Sequence, residues 1–272
     1  MLYKAFKYSL LILLLSSSFI SCGKEDPSVN ATRLRIKLTD AASPVIKELH
    51  IDIQRIEVVV ADTTASEGEW EPLQFTGGEY NLLTLMNGRS VQLVDQYFPA
   101  GGILRKIKMV LGNNNRILTT TGQMISLNLP SEMVEGIIID NVNTALPANI
   151  ITSIVIDVNA ALSVRESNGN YFLHPSARAF PETFGGSLRG YVSPVEADAI
   201  VVIIRERDTL LSLPEGDRGM FLFTGLNPGP WEVQVIANPL SNYSDTIFTD
   251  TVVQGKITEI TPNPIRLKPL QP

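Results

Sequence analysis

The sequence predicts an all-β protein, organised as two β-sandwich domains in tandem. Apolar and polar residues alternate in most segments after residue 32, for example in RLRIKL at 33–38, and a period of two is typical of strands with one buried face. Turn-forming pairs such as Asn87-Gly88 and Asn168-Gly169 separate these segments. No segment has the period of a convincing amphipathic helix, and helix is predicted at most as one or two turns in SVQLVDQYF at 90–98.

A long strand with an irregularity is predicted early in the chain. In KELHIDIQRIEVVV, residues 47–60, the alternation changes phase at Gln54-Arg55, which indicates a β-bulge. Further strands are predicted at WEPLQF (70–75), YNLLTL (80–85), ILRKIKMVL (103–111), QMISLNL (123–129), EGIIID (135–140), IITSIVIDV (150–158) and NYFLH (170–174).

A domain boundary is predicted at PSARAFPETFGGS, residues 175–187. This segment has two prolines and a Gly-Gly pair and shows no alternation, as is typical of a linker. The predicted domains are therefore an N-terminal sandwich at 33–180 and a C-terminal sandwich at 186–268. The tail PNPIRLKPLQP at 262–272 has too many prolines for a central strand and is expected at a sheet edge or free.

The first 21 residues have the pattern of an export signal. Lys4 and Lys7 precede the apolar run LLILLL at 10–15, which is too short to span a bilayer as a helix of the mature protein. The only cysteine, Cys22, follows directly. Its position favours a processed and modified residue over the alternative, a buried free cysteine. We expect a signal peptide at 1–21 and a flexible tether at 22–32.

The residues around Cys22 resemble two known signals. Phe19-Ile20-Ser21-Cys22 is similar to the lipobox of bacterial lipoproteins, which implies cleavage before Cys22, acylation of its sulfur and anchoring in outer-membrane lipid. Gly23-Lys24-Glu25-Asp26 resembles the export signal that places lipoproteins of Bacteroidota on the outer face of the outer membrane. The expected location is the cell exterior, with a periplasm-facing protein as the alternative.

A short repeated motif suggests a modification. Asp-Thr followed by an aliphatic residue or threonine occurs four times and resembles the O-glycosylation acceptor motif of Bacteroidota. The alternative is structural, since a turn aspartate followed by a β-branched strand residue gives the same pattern. The candidate acceptors are Thr63, Thr209, Thr246 and Thr251.

Both predicted domains resemble known families. The pieces RLRIKLTDA, ELHIDIQRIEVVV, YNLLTL and FPAGGILRKIKMVL are similar to the bacterial domain of unknown function 4382, found in exported lipoproteins without an established activity. MFLFTGLNPGPWEVQV at 220–235 resembles the signature of carboxypeptidase-regulatory-like domains, which implies a prealbumin-like sandwich over about 186–268. The residues expected to share its core are Phe221, Phe223, Trp231, Val233 and Val235.

The residue types argue against catalysis, metal binding and nucleic-acid binding. The formal net charge is −6 and no basic patch occurs, so nucleic acid is not expected as a partner. No nucleophile-elbow, zinc-protease or phosphate-loop motif occurs in the sequence. His50 and Asp52 share one face of a predicted strand, but two ligands do not make a metal site, and His174 is expected in a loop. We expect no cofactor.

The predicted function is that of a non-enzymatic cell-surface lipoprotein for binding, adhesion or structural presentation. Its ligand would be a glycan or a protein, and Trp70 and Tyr80 are candidates for stacking on sugars, with core or edge packing as the alternative role. A second reading is a fimbria-like subunit or accessory protein, processed at Arg33 or Arg35 and left with an open groove. A third is a cryptic glycan hydrolase, which needs clustered carboxylates.

The anchor and the glycans can be tested by mass spectrometry of peptides released from intact cells and of peptides retained on them. We expect a diacylated or triacylated peptide beginning at Cys22, and a hexose-containing mass on at least one of the four candidate threonines. A mature N-terminus near Arg33 or Arg35 would contradict the anchor and support fimbrial processing. Protection of the chain until lysis would contradict exposure on the cell surface.

Overall fold

The computed structural model describes residues 26, 28–61 and 68–270, and this part of the chain is all-β. Its helices are short: 3₁₀ helices at Leu82–Leu85, Ser131–Met133 and Val195–Ala197, and α1 at Ala160–Ser163. Within the described ranges, no helix is long and apolar enough to cross a membrane. The strands are β1 (Ala31–Ala41), β2 (Ile46–Ala61), β3 (Trp70–Pro72), β4 (Gly78–Asn81), β5 (Val91–Pro99), β6 (Ile103–Leu111), β7 (Arg116–Thr119), β8 (Met124–Ser126), β9 (Ile137–Ile139), β10 (Thr144–Ala145), β11 (Ile151–Asn159), β12 (Val164–Ser167), β13 (Asn170–Leu173), β14 (Ala177–Pro181), β15 (Gly186–Ser193), β16 (Ile200–Arg205), β17 (Asp208–Ser212), β18 (Met220–Leu226), β19 (Gly229–Ile236), β20 (Thr246–Val252), β21 (Ile257–Glu259) and β22 (Ile265–Arg266).

Strands β1–β14, which we call the first unit, form two main sheets around one core. Sheet A has the order β14-β11-β1-β5, and β1 runs parallel to β11 and antiparallel to β5. Sheet B has the order β10-β6-β2-β7-β8, with β3 and β4 also paired to β2 and β9 paired to β6. Alternate residues of β1 point inward, and Leu34, Ile36 and Leu38 are fully buried in this core.

The bulge predicted at Gln54-Arg55 is confirmed. The register between β2 and β6 shifts between Ile53 and Arg55. Gln54 and Arg55 both point to solvent, while Ile53 and Ile56 on either side are both fully buried. The extra residue therefore resets the alternation, so that a single 16-residue strand keeps its apolar side chains in the core along its whole length.

Strands β15–β22, which we call the second unit, enclose a separate core. Sheet C has the order β18-β15-β21 with β22 also paired to β15, and sheet D has the order β17-β16-β19-β20. The five aromatic and aliphatic residues expected to share this core are all buried in it. Trp231 is 1% exposed and its indole nitrogen donates to the carbonyl oxygen of Asn227 over 2.9 Å. The Pro-Gly turn thus orients the central aromatic side chain.

Three segments differ from the sequence prediction. The helical turns predicted at SVQLVDQYF are wrong, because this segment is β5; its alternation breaks where the register with β1 shifts, so that Leu93 and Val94 are both buried. The end of YNLLTL is a 3₁₀ helix that buries consecutive Leu82 and Leu83. The predicted boundary segment 175–187 contains an unpredicted strand, β14, at the edge of sheet A, and the residues between β14 and β15 are 182–185. In each case neighbouring strands, rather than local alternation, decide the conformation.

Replacement of Trp231 should test the second core. Trp231→Ala removes a fully buried ring and one hydrogen bond, so the free energy of unfolding should fall by about 3–5 kcal/mol. The matched control is Leu240→Ala, because Leu240 is 90% exposed and its loss should change stability by less than about 0.5 kcal/mol. Urea unfolding followed by far-ultraviolet circular dichroism measures both. Equal unfolding midpoints for the two variants would contradict this core.

Candidate binding cleft and the joint between the units

The Asn87-Gly88 turn is one of the contacts that join the two units. The Asn87 side chain donates to the Leu213 carbonyl oxygen (3.0 Å) and accepts from the Ser212 hydroxyl (2.7 Å) and the Leu222 amide (3.1 Å). Gly88 has φ 80° and lies so close that a Cβ there would sit 2.6 Å from Leu222. Because Asn87 is buried and meets three groups of the second unit, sliding of one unit on the other would leave buried polar groups unsatisfied.

Arg178, on the outer face of β14, bridges the units more directly. Its Nε and Nη2 donate to one carboxylate oxygen of Asp157, over 2.9 and 2.8 Å. Its Nη1 donates to the Gly225 carbonyl oxygen and its Nη2 to that of Thr224, both on β18. Burial raises the pKa of Asp157 above its ordinary value, against the opposing attraction of Arg178. One guanidinium therefore serves a buried carboxylate of the first unit and two carbonyls of the second.

Two further contacts complete this joint. Arg89 makes a two-pronged ion pair with Glu215, with distances of 2.8 and 2.9 Å, and this cation lowers the pKa of the Glu215 carboxyl. The Ala42 amide, just after β1, donates to the Leu211 carbonyl oxygen over 3.3 Å. The joint thus uses Ala42, Asn87, Arg89 and Arg178, which lie in three separate segments of the first unit.

A cleft of about 380 Å³ lies between the units beside this joint. Phe180 forms part of its floor, and the ring of Phe184 stands 6.3 Å from it, centroid to centroid. Phe184 is 41% exposed and Ile257, which also lines the cleft, is 54% exposed. Lys256 adds an exposed ammonium to the same wall. The cleft therefore combines accessible apolar groups with the Lys256 ammonium and the Glu182 carboxylate, a mixture that suits a ligand with both apolar and polar parts.

The outer face of sheet A leads into the cleft. Its strands pair so that outward side chains form rows across the sheet. Counted from the end where the chain enters β1, the first row is Tyr97, Arg33 and Ile151, and the second is Asp95, Arg35 and Ser153. The third row is Gln92, Lys37, Val155 and Phe180, and the fourth is Thr39, Asp157 and Arg178. Exposure falls along β11, from 51% at Ile151 to 9% at Asp157, and along β1, from an exposed Arg33 to Thr39 at 7%. The second unit contacts the last row through Arg178.

The two aromatic residues proposed to stack on sugars have other contacts. The ammonium of Lys108 lies 4.4 Å from the centroid of the Trp70 ring and also pairs with Glu57. Tyr80 is half-buried against the first core, and burial raises the pKa of its hydroxyl. The structure therefore gives both residues the packing role that the sequence left as the alternative.

His50 lies in a network of ion pairs on sheet B. Its Nδ1 is 2.8 Å from Glu79 and its Nε2 is 2.8 Å from Glu48. Arg116 donates to Glu79 as well and lowers the pKa of Glu79 to about 2. Asp52, on the same face, is buried and accepts from the amide of Asn114. Among the described residues, no group of three or more histidine, cysteine, aspartate or glutamate side chains has an arrangement that could hold a metal ion.

The candidate modification sites fall in different surroundings. Thr209 and Thr251 are exposed on β17 and β20, the two edge strands of sheet D, and Thr246 is half-buried on β20. Asp250 accepts from the amides of Thr251 and Thr261, but it lies within β20 and not in a turn before a strand. Thr63 and Cys22 lie outside the described residues. Acylation and glycosylation stay predictions.

Sequence reasoning missed the residues that build the joint and the cleft. Asn87 was recognised only as a turn former, and Arg178 and Phe184 lie in the segment interpreted as a linker. An arginine and two phenylalanines close together in a supposed linker were the available signal, because linkers seldom contain large apolar residues.

Removal of Arg178 should show how much the unpaired, buried Asp157 carboxylate lowers the free energy of unfolding. At neutral pH, Arg178→Ala should lower the free energy of unfolding by about 2–3 kcal/mol, a modest value because Arg178 is partly exposed. Without Arg178, burial raises the folded-state pKa of Asp157 unopposed, so the folded variant takes up this proton before the unfolded chain does, and the loss should shrink as the pH is lowered from neutral. Thermal unfolding across this pH range measures it. Arg178→Ala combined with Asp157→Asn is the control, and a pH-independent loss shared by the double variant would contradict the assignment.

Among solved structures, three similar chains have low similarity scores. The Bacillus anthracis TIE protein is 14% identical with a TM-score of 0.26, covering 96% of this chain and 44% of that one, so this chain spans less than half of its length. BcpA, the major pilin subunit of Bacillus cereus, is 7% identical with a TM-score of 0.24, and the match covers 88% of this chain and 70% of that one. The shaft pilin spaA from Lactobacillus rhamnosus GG is 12% identical with a TM-score of 0.22, and the match covers 89% of this chain and 98% of that one. TM-scores this low carry no argument about function.

The sequence comparisons identify the first unit. No curated protein sequence matches the chain. A family model matches residues 31–175, which include β1 to β13 and hence most of sheets A and B. This match covers more than half of the chain and agrees with the resemblance seen in the strands from β1 to β6. The chain therefore belongs to the family described as Domain of unknown function (DUF4382).

Proposed function

We propose that the chain is a non-enzymatic, lipid-anchored binding protein of the cell surface, and that the cleft between its units takes the ligand, a glycan or a protein. The main support for this proposal is the direction of β1, which leads from the tether to the cleft. β1 begins at Ala31, nine positions after Cys22, and ends at Ala41, next to the joint. Eleven residues rising by about 3.3 Å each place the cleft about 35 Å from the anchored end.

The chemistry of the cleft supports binding rather than catalysis. Its carboxylate at Glu182 pairs with Lys37 over 2.6 Å, and nearby Asp157 is held by Arg178. A glycan hydrolase needs one carboxyl group free to donate a proton and a second free to attack or to activate water. Each of these carboxylates is instead paired with a cation, which suits a structural role.

The position of β1 gives less support to the fimbria-like alternative. Arg33 and Arg35 lie inside β1, which fills the place between β11 and β5 and pairs with both. Arg33 also makes a two-pronged ion pair with Asp95 (2.6 and 2.9 Å). A protease would have to open the centre of sheet A to reach this backbone, and the groove that fimbrial assembly requires is filled by β1 itself.

Two variants in the cleft wall test the ligand site. Purified lipoprotein and the variants Phe184→Ala and Ile257→Ser are applied to a glycan array and to immobilised extracellular-matrix proteins. We expect each variant to lose at least about tenfold in apparent affinity, the equivalent of about 1.4 kcal/mol, because it removes an accessible apolar contact. Met124→Ser is the matched control, since Met124 is 53% exposed on β8, away from the cleft.

The same experiment separates the alternatives. Unchanged binding by both cleft variants would place the ligand elsewhere. Shortened glycans in the supernatant, detected by mass spectrometry, would contradict the non-enzymatic assignment and support the hydrolase reading.

A further inference from the structure

We propose that the end of the first unit at which the tether enters rests on the membrane surface through an apolar patch. The patch consists of Val29, Tyr97, Ile150 and Ile151, and we call it the tether-end patch. This inference depends on the proposed anchor at Cys22. It adds a second, weaker contact that orients the protein on the lipid surface.

The hydrogen bonds of β1 bring these four side chains to one end of the sandwich. Arg33 pairs in register with Tyr97 on β5 and with Ile151 on β11. The Arg33 amide donates to the Ile150 carbonyl oxygen over 2.9 Å. Val29 lies in the turn just before β1, where its amide donates to the Asp26 carbonyl oxygen over 3.1 Å. The patch is thus built from three separate parts of the chain.

All four side chains of the patch are well exposed. Their exposed fractions are 67% for Val29, 47% for Tyr97, 54% for Ile150 and 51% for Ile151. Single exposed apolar residues are ordinary on any protein surface, but a group at one end of a domain calls for a partner. A tyrosine among aliphatic residues is also typical of the boundary between lipid headgroups and hydrocarbon.

The length of the tether identifies the partner. Cys22 and Val29 are seven positions apart, so the chain between them spans at most about 25 Å even when fully extended. An acyl chain on Cys22 would keep the patch within this distance of the bilayer at all times. The membrane is therefore present near the patch at a far higher effective concentration than any diffusing protein.

Arg33 lies within the patch, between Tyr97 and Ile151, and the charges in and around the patch are balanced. The described charged groups near it are the cations Arg33 and Arg35 and the carboxylates Asp26 and Asp95. Asp95 lies between the two arginines, which lower its pKa, and Asp26 accepts hydrogen bonds from Ser28. Two cations against two carboxylates give no net attraction to anionic lipid. The contact should therefore depend on apolar insertion and be insensitive to salt.

A fluorescent probe on a new cysteine can test this contact in the full lipoprotein. Cys22 is the only cysteine of the chain, so once it is acylated an introduced cysteine is the only free thiol. Ile151→Cys carries the probe in the patch, and Ile247→Cys is the matched control, because Ile247 is 63% exposed on β20 of the second unit. Both labelled proteins are reconstituted in vesicles of phosphatidylethanolamine and phosphatidylglycerol with brominated acyl chains, which quench a probe that enters the hydrocarbon.

We expect strong quenching at position 151, at least threefold more than at 247, and no change when sodium chloride is raised. Addition of Ile150→Asp to the position-151 protein should abolish the difference. Flotation of the protein with vesicles and no difference in quenching would overturn the patch while leaving the anchor in place. Failure to float would overturn the anchor itself. If the protein labelled at position 151 forms dimers through this position and lipid does not quench its probe, a second protein molecule covers the patch instead of the membrane.

Discussion

The guanidinium of Arg178 is the contact on which the arrangement of the two units depends. It is held by the buried Asp157 carboxylate in the first unit, and its remaining donors meet two carbonyl oxygens of β18 in the second. A carboxylate in this position would be costly without its cation, and the carbonyls would lose partners if the units separated. Asn87 makes a similar contact with neutral groups, because its buried side chain forms hydrogen bonds with the Leu213 carbonyl and the Ser212 hydroxyl of the second unit. The joint is therefore polar and specific, and it fixes the width of the cleft beside it.

The direction of β1 gives the molecule two distinct ends. One end receives the tether and exposes apolar side chains, whereas the other adjoins the second unit and the cleft. A central strand paired on both sides is a stiff link between them, since its hydrogen bonds to β11 and β5 must all break before it can extend. An anchored protein with this geometry would hold its cleft at a nearly constant distance from the lipid surface.

Alternation along single strands identified most of the sheet strands, because a half-buried strand leaves a period of two in the sequence. It failed where tertiary pairing breaks that period. β5 buries Leu93 and Val94 in succession at a register shift, and β14 presents Arg178 and Phe180 outward to meet the second unit. The bulge in β2 was predictable because both flanking halves of the strand alternate strongly, so the change of phase was visible.

The sequence by itself determined the all-β class, the bulge in β2 and the shared core around Trp231, because each depends on local alternation or on a short motif. Only the tertiary structure decided the joint, the cleft and the tether-end patch. Their residues lie far apart in the chain, 47 positions for Arg178 and Gly225 and 126 positions for Asn87 and Leu213, and strand pairing together with contacts between the units brings them close. Local pattern reports which face of a strand is buried, but not which neighbour covers it, and the candidate sites of this protein depend on that neighbour.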